Sequence, residues 1–227
     1  MKRIYPDANV VALDFAPGML RAAQHYLDDQ LIRFERICAD ALRLPFADSS
    51  ADLIYSSLML QWCDPLHIAF AEVRRVLKPG GLFMFSTFGP DTLIELRAAW
   101  AAADGGVHVN RFLDMHDIGD AAMQAGLSEP VLDVERIQLT YADARSLMRD
   151  LKAIGARNVA AARSRGLTSR ARLQRMEEAY EFWRHDGRLP ATYEVVYGTA
   201  WGSEARAGAK VVEGEVLISP TEIGRRN

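Results

Sequence analysis

The sequence has few cysteines, little net charge and no long apolar run, and each of these absences excludes a class of protein. Its 227 residues include 2 cysteines, and Cys38 and Cys63 fit neither a disulfide framework nor the spacing of a metal site. The net charge of -3 argues against a general nucleic-acid-binding protein, which is usually basic. The apolar runs are too short to span a bilayer, and residues 1–9 lack the apolar core of a signal peptide. We therefore expect a cytoplasmic protein without a membrane segment, a metal or a nucleic-acid partner.

Glycine is also absent where a nucleotide-binding unit would need it. Residues 10–13 are predicted to form a short buried strand, Asp14 follows it, and Pro17 begins a helix. An acid at this place in an α/β sheet holds the ribose hydroxyls of an adenosine cofactor, and a glycine-rich turn precedes it by about 20 residues. Only 13 residues precede Asp14, and none of them is glycine. We expect a chain that begins one structural unit late, or an acid that only caps a helix.

Strands and helices alternate up to about residue 88, which predicts a parallel sheet with helices on both faces. Further strands are predicted over 32–37, 51–58 and 82–87, and a helix over 65–77. Beyond them, the patterns predict helices over 92–103, 116–125, 143–154 and 169–183, and strands over 131–141 and 192–201. We expect one domain over 1–202 with a helical lid over 143–185. The tail, 203–227, has no clear pattern and is a candidate for disorder.

Three motifs in this order resemble the class I S-adenosylmethionine-dependent methyltransferases, which have a Rossmann-like sheet. They are L-D-F-A-P-G-M-L (13–20), C-A-D-A-L-R-L-P-F (38–46), and D-L-I-Y-S-S-L-M-L-Q-W (52–62) with L-K-P-G-G (77–81). A closer resemblance is to the malonyl-acyl carrier protein O-methyltransferase (BioC) family. It rests on L-Q-W-C (60–63), H-V-N-R-F-L (108–113), S-L-M-R-D-L-K-A-I-G-A (146–156) and L-P-A-T-Y (189–193). The family's first strand, glycine loop and preceding helix have no counterpart in this sequence.

The resemblance to BioC implies an enzyme of biotin (pimeloyl) synthesis. It would use S-adenosylmethionine to convert the free carboxylate of malonyl-acyl carrier protein to its methyl ester. The expected partner is an acyl carrier protein, and the expected state is a monomer. A related branch, a protein-arginine hydroxylase that assists assembly of respiratory complex I, shares G-P-D-T-L-I-E-L-R (89–97) and is the alternative. A second alternative is an inactive truncated relative, because the glycine loop allows the backbone to approach the cofactor.

Six residues are expected to bind the cofactor, by their places at strand ends or by the resemblance: Asp14, Met19, Asp40, Ala41, Leu42 and Ser56. Asp14 would accept hydrogen bonds from the ribose, and Asp40 from the adenine amine, with the two residues after Asp40 against the adenine ring. The resemblance places Met19 in the adenine slot and Ser56 beside the methionine portion. The alternatives are a helix cap for Asp14, a turn for Asp40 and core packing for Met19, while Ser56 would be a small residue at a strand end without a binding role.

No catalytic general base is expected, because a malonyl carboxylate, with a reference pKa of about 4, is already ionised at neutral pH. The protein has instead to align donor and acceptor, exclude water and hold the carboxylate with a cation. Four residues are candidates for substrate binding: His108, Arg111, Lys152 and Tyr193. The alternatives are a loop position for His108 with its hydrogen bonds made within the protein, and an ion pair of Arg111 with Asp114. Lys152 would then be solvent-exposed, and Tyr193 packed in the core.

An arginine-rich stretch without acidic residues extends from Arg157 to Arg175. Acyl carrier proteins are acidic, so an arginine-rich helix pair over the active site would steer and dock them. We expect Arg163, Arg170 and Arg172 to contact the carrier. A solvated basic surface and a nucleic-acid-binding patch are the alternatives.

Overall fold

The first half of the chain forms two units in which strands and helices alternate, as the apolar periodicity predicts. A computed structural model describes residues 5–28, 34–104, 108–109, 112–153, 169–203, 210–212 and 215–217. The first unit consists of β1 (Val11–Asp14), α1 (Pro17–Asp28) and β2 (Glu35–Cys38). The second consists of β3 (Ala51–Ser57), a 3-10 turn (Leu60–Trp62), α2 (Leu66–Val76) and β4 (Leu77–Phe88).

The second half adds helices around two long antiparallel strands. Its elements are α3 (Ile94–Asp104), α4 (Met115–Gln124), β5 (Ser128–Tyr141), α5 (Ala144–Ala153), α6 (Arg170–Glu181) and β6 (Leu189–Trp201). The tail differs from the expectation that it has no pattern, because β7 (Lys210–Val212) pairs antiparallel with β8 (Glu215–Leu217). None of the helices in the described ranges combines the length and hydrophobicity that crossing a lipid bilayer requires.

The strands pair in separate sheets. β1 and β2 form a parallel two-stranded sheet, and the main sheet has four strands in the order β3-β4-β6-β5. β3 and β4 are parallel, whereas β6 is antiparallel to both of its neighbours. In the described part of the chain, no strand pairs with the second edge of β1 or of β3.

The loop after β2 connects the two sheets through the end of α2. The guanidinium of Arg75 donates to the backbone oxygens of Phe46 (2.8 Å) and Leu44 (2.9 Å). The Leu44 backbone NH donates to Glu72 at 2.7 Å, and Glu72 also pairs with Arg75 at 2.8 Å. Backbone groups of the loop are therefore satisfied by charged side chains of α2, and the loop that follows β2 is held against that helix.

One face of the main sheet packs against α2 and α4. The core between this face and the helices contains Phe70, Phe83 and Phe85, whose ring centroids lie 4.9 to 5.8 Å apart. Gly198 on β6 lies opposite Phe85 on β4, and a Cβ at position 198 would collide with that ring. The glycine is therefore needed for a close side-chain approach rather than for a turn.

The other face is covered only in part. A second apolar cluster, containing Trp100, Leu147, Met176 and Tyr180, packs α3, α5 and α6 against one end of β6. Residues 143–185 therefore contain the predicted helices, while their role as a lid stays a prediction. Elsewhere on this face three large side chains remain exposed, at 58% for Tyr55, 39% for Met84 and 42% for Tyr197.

Candidate functional site

The predicted cofactor residues lie where β1, β2 and β3 end. Asp14 is the last residue of β1, Asp40 follows the end of β2, and Ser56 is the next-to-last residue of β3. Ligands of open α/β sheets bind outside the carboxyl ends of the parallel strands. The three predicted residues thus lie at the carboxyl ends of strands, as the sequence predicts.

Asp14 caps a turn and keeps one oxygen available. Its Oδ1 accepts a hydrogen bond from the Ala16 backbone NH at 2.7 Å, at the entry to α1. The half-buried carboxylate has no other hydrogen-bond partner in the described ranges. The helix-entry role that the sequence left as an alternative is therefore present, and it leaves the second oxygen for a ligand.

Asp40 has a similar arrangement and lies near the second unit. Its Oδ1 accepts from the Leu42 backbone NH at 2.9 Å, which closes the turn after β2. Burial, and secondarily the Asp40 charge, raise the pKa of the Cys63 thiol to about 11. Since Cys63 directly follows the 3-10 turn, the Asp40 carboxylate lies close enough to that turn to interact with it electrostatically.

Apolar side chains next to these acids are exposed. Met19 is 60% exposed and Phe15 is 75% exposed, so Met19 is not a core residue. The Ser56 hydroxyl is buried and has no hydrogen-bond partner in the described chain. Free carboxylate oxygens suit a ribose diol and an amine, and exposed apolar groups suit an aromatic ring. These residues fit an adenosine-containing cofactor such as S-adenosylmethionine.

An aromatic group lies at the end of β4, close to the strand ends just described. The Phe88 ring is 5.6 Å from that of Phe112 and 6.0 Å from that of Tyr193. Burial raises the pKa of Tyr193, as does, to a lesser degree, its interaction with Tyr141. Tyr193 is thus a neutral, packed phenol near the start of β6, which agrees with the packing alternative and brings its ring beside Phe88.

Two buried glutamates fasten the loop after β4 to β6. Glu194 accepts from the Asp91 backbone NH at 2.6 Å, and Glu95 accepts from the backbone NH (3.0 Å) and hydroxyl (2.5 Å) of Thr192. A Cβ added at Gly89 would lie 2.8 Å from the Glu194 carboxyl carbon. The loop and the start of β6, including Tyr193, are therefore positioned by backbone hydrogen bonds to carboxylates.

His108 is engaged with its neighbours. Its ring stacks on Trp100 with a centroid distance of 3.8 Å, and its Nε2 lies 2.9 Å from Asp104. Arg172, predicted to dock a carrier, has a guanidinium nitrogen 3.8 Å from the same largely buried carboxylate. The geometry favours a positioning role for His108, and it gives Arg172 a partner on α3.

The remaining candidates do not form one group. Lys152 lines a cleft of about 570 Å³ on α5, with no ion pair inside the described ranges. Arg170 is the first residue of α6 and is exposed. Arg111 and Arg163 lie outside the described residues. In the part of the chain that the structure describes, His, Cys, Asp and Glu form no group of three that suits a metal ion.

The sequence reasoning did not identify several residues of this region: Phe88, Trp100, Phe112, Tyr141 and Glu194. The motif G-P-D-T (89–92) is the one local signal of the loop that Glu194 holds. The others have no local signal, because their partners are distant in sequence, as with Tyr141 and Tyr193.

Three relatives and a family model are similar to this chain. The model described as a methyltransferase domain matches residues 1–85. A malonyl-[acyl-carrier protein] O-methyltransferase of Laribacter hongkongensis is 53% identical over 224 residues, 94% of this chain and 74% of that protein. One of a Methylovorus species is 54% identical over 207 residues, 89% of this chain and 70% of that protein. A biotin biosynthesis bifunctional protein BioHC of Saccharophagus degradans is 44% identical over 197 residues, 84% of this chain and 35% of that protein.

A solved structure has a similar fold. It is a putative methyltransferase from Bacillus halodurans with a TM-score of 0.61 and 16% identity, and the match covers 87% of this chain and 84% of that one. At this identity the likeness concerns the fold alone. It agrees with the Rossmann-like arrangement that the motifs predict.

Proposed function

The chain belongs to the malonyl-[acyl-carrier protein] O-methyltransferase family, and from this premise we propose its reaction. It converts the free carboxylate of a malonyl group on acyl carrier protein to the methyl ester, in biotin biosynthesis. The observation that carries the proposal is the similarity to the Laribacter hongkongensis relative along nearly the whole chain. The relatives support ester formation and do not support the alternative hydroxylase function.

The reaction needs alignment more than proton transfer. S-adenosylmethionine, the methyl donor, supplies a methyl carbon that is activated by a positively charged sulfur. The acceptor carboxylate is ionised at neutral pH, so no residue has to remove a proton. Holding two reactants in line and excluding water contributes about 7–11 kcal/mol to lowering the barrier. The protein's task is therefore positional.

The carboxyl ends of β1 and β2 would hold the adenosine portion. The second oxygen of Asp14 would accept from the ribose, and that of Asp40 from the adenine amine. Met19 and Leu42 would contact the ring, beside the Ala41 backbone, and Ser56 would lie near the methionine portion. The free carboxylate oxygens and the exposed apolar groups support these roles.

The acceptor would lie on the side of Phe88 and Tyr193. Tyr141 and Tyr193, which pack on the second apolar cluster, and the rings around Phe88 would form a largely apolar wall that excludes water. Arg111 is the proposed cation for the malonyl carboxylate, since its position was predicted from the sequence, whereas Lys152 lies on the exposed side of α5. His108 would position the motif H-V-N-R-F (108–112) rather than contact the substrate. Its ring already stacks on Trp100, and its Nε2 lies beside Asp104.

Mass spectrometry of the carrier protein tests the reaction. The purified chain is incubated with S-adenosylmethionine and malonyl-acyl carrier protein, and the expected result is a mass gain of one methyl ester. Acetyl-acyl carrier protein is the matched control, because it has the thioester but no free carboxylate, and it should gain nothing. An unchanged malonyl-carrier mass, with S-adenosylmethionine bound to the chain, would contradict the proposal.

A further inference from the structure

Three basic side chains share one side of α5. Arg145, Arg149 and Lys152 are four and three residues apart, a spacing that places side chains next to each other on a helix. Together with Met148 and Asp143 they line the cleft of about 570 Å³. We call this surface the α5 cleft.

Two of these cations are available to a partner. Arg145 is paired with Glu177 on α6 at 2.5 Å. Arg149 donates to the Ser146 hydroxyl at 2.9 Å, and neither Arg149 nor Lys152 has an ion pair in the described part of the chain. Asp143, the one carboxylate of the lining, interacts electrostatically with Arg149, and the α5 cleft still exposes an excess of positive charge beside an apolar side chain, Met148.

Four other arginines in the described ranges have an acidic partner nearby. Arg75 pairs with Glu72, Arg184 with Glu181, Arg136 with Asp91 and Arg172 with Asp104. Arg175, within the arginine-rich stretch, donates to the backbone oxygen of Ala103 at 3.1 Å. At least two arginines of that stretch thus hold α6 against α3 and are already engaged within the chain.

The α5 cleft lies beside the aromatic residues at the end of β4. Met148 and Leu151 of α5 pack on the second apolar cluster together with Tyr141 and Tyr193. Tyr193 in turn contacts Phe88. A protein bound on the outer side of α5 would therefore lie next to the aromatic residues where the acceptor is proposed to bind.

We propose that the α5 cleft is the docking surface for the acyl carrier protein, with Arg149 and Lys152 facing carboxylates on the carrier. This inference rests on the proposed function for the identity of the partner. Charge complementarity carries it: acyl carrier proteins are acidic, and complementary charges speed and orient association. Met148 supplies an apolar contact between the two cations.

Binding of the apo-carrier protein tests the surface without a malonyl group, a prosthetic arm or methyl transfer. The single variants Arg149→Glu and Lys152→Glu should each weaken binding by about tenfold at low salt, as expected for a reversed charge at an interface. Added salt should weaken binding of the unmodified chain and reduce this difference. The matched control is Lys78→Glu at the amino end of β4, which should change the affinity by less than about twofold.

The outcomes separate this inference from the proposed function. Unchanged carrier affinity in both α5 variants, or an equal loss with Lys78→Glu, would overturn the docking surface. So would equally tight binding of a DNA duplex, which would indicate a general polyanion surface. Thermal unfolding of each variant shows that it is folded. If the apo-carrier binds as expected but no methyl ester forms, docking is supported while the proposed reaction fails.

Discussion

At the scale of single residues, Asp14 and Asp40 each combine a structural and a proposed binding role. One oxygen of each carboxylate holds a backbone NH two residues later, at 2.7 Å for Asp14 and 2.9 Å for Asp40. Each turn thereby fixes the direction in which the second oxygen points. A substitution that keeps the acceptor but removes the charge can separate the two roles.

Asp14→Asn is that substitution. The amide oxygen can still accept from Ala16, so the free energy of unfolding should stay close to that of the unmodified chain. Binding of S-adenosylmethionine should weaken by about tenfold or more, because hydrogen bonds to charged groups contribute about 1.5–3 kcal/mol. Calorimetric titration and thermal unfolding measure the two effects. Asp14→Ala is the companion variant and should lose both, whereas wild-type binding by Asp14→Asn would remove the ribose role.

The two thiols should react at different rates. Burial raises the pKa of Cys63 to about 11, so at neutral pH almost none of it is the reactive thiolate. Cys38 is exposed, near the proposed cofactor site, and its Sγ lies 3.5 Å from the Phe15 backbone oxygen. Alkylation followed by peptide mass spectrometry should therefore modify Cys38 first, and S-adenosylmethionine should slow that modification. Equal rates at both thiols would show that Cys63 is accessible.

At the scale of elements, the end of α2 holds the loop that carries Asp40. The pKa of the Glu72 carboxyl lies below its usual value, mainly because Arg75 donates hydrogen bonds to it. A lowered folded-state pKa stabilises the fold above the unfolded-state value of about 4.3, and this contribution is lost as the pH falls through the folded-state pKa. The pH dependence of stability should therefore contain a term from Glu72.

Glu72→Gln should remove that term. At neutral pH the variant should be less stable by about 1–2 kcal/mol, and below about pH 4 the difference from the unmodified chain should shrink. Urea unfolding at a series of pH values measures both. Glu178→Gln, which removes an exposed carboxylate whose partner is Gln174, is the control and should follow the unmodified chain. A constant difference at every pH would contradict the assignment.

The loop after β4 depends on the absence of a side chain at Gly89. A Cβ there would lie 2.8 Å from the Glu194 carboxyl carbon, so Gly89→Ala has to displace a buried carboxylate. We expect a loss of about 1–3 kcal/mol in the free energy of unfolding, as for other overpacked sites. Gly18→Ala is the matched control, because nothing lies within 4 Å of its added Cβ and the residue is helical. Denaturant unfolding should show that variant as neutral or slightly stabilised.

At the scale of the whole molecule, one face of the main sheet is partly uncovered. Tyr55, Met84 and Tyr197 are each more than a third exposed on neighbouring strands, and clustered apolar exposure marks a surface that binds apolar partners. The chain should therefore enhance the fluorescence of an apolar dye, and Met84→Lys should lower that signal. Phe182→Ser is the control, since that residue is 95% exposed and lies outside the sheet. Equal signals from both variants would place the dye elsewhere.

The strands and helices could be predicted from local periodicity, whereas the contacts that build the site could not. The apolar spacing of α2 and the terminator Lys78-Pro79-Gly80-Gly81 are local signals, and the helix indeed ends at Val76. Asp14 and Asp40 were identifiable because each follows an apolar strand. The pairs His108 with Trp100, Tyr193 with Tyr141 and Arg172 with Asp104 depend on how elements pack, which periodicity does not contain.

The contact between Phe85 and Gly198 also constrains the history of the sequence. The two positions lie opposite each other on β4 and β6, and the ring occupies the volume that any side chain at 198 would need. The residue types that positions 85 and 198 can hold therefore depend on each other. A lineage that acquires a larger residue at 198 has first to acquire a smaller one at 85, so the order of the two substitutions is set by the packing.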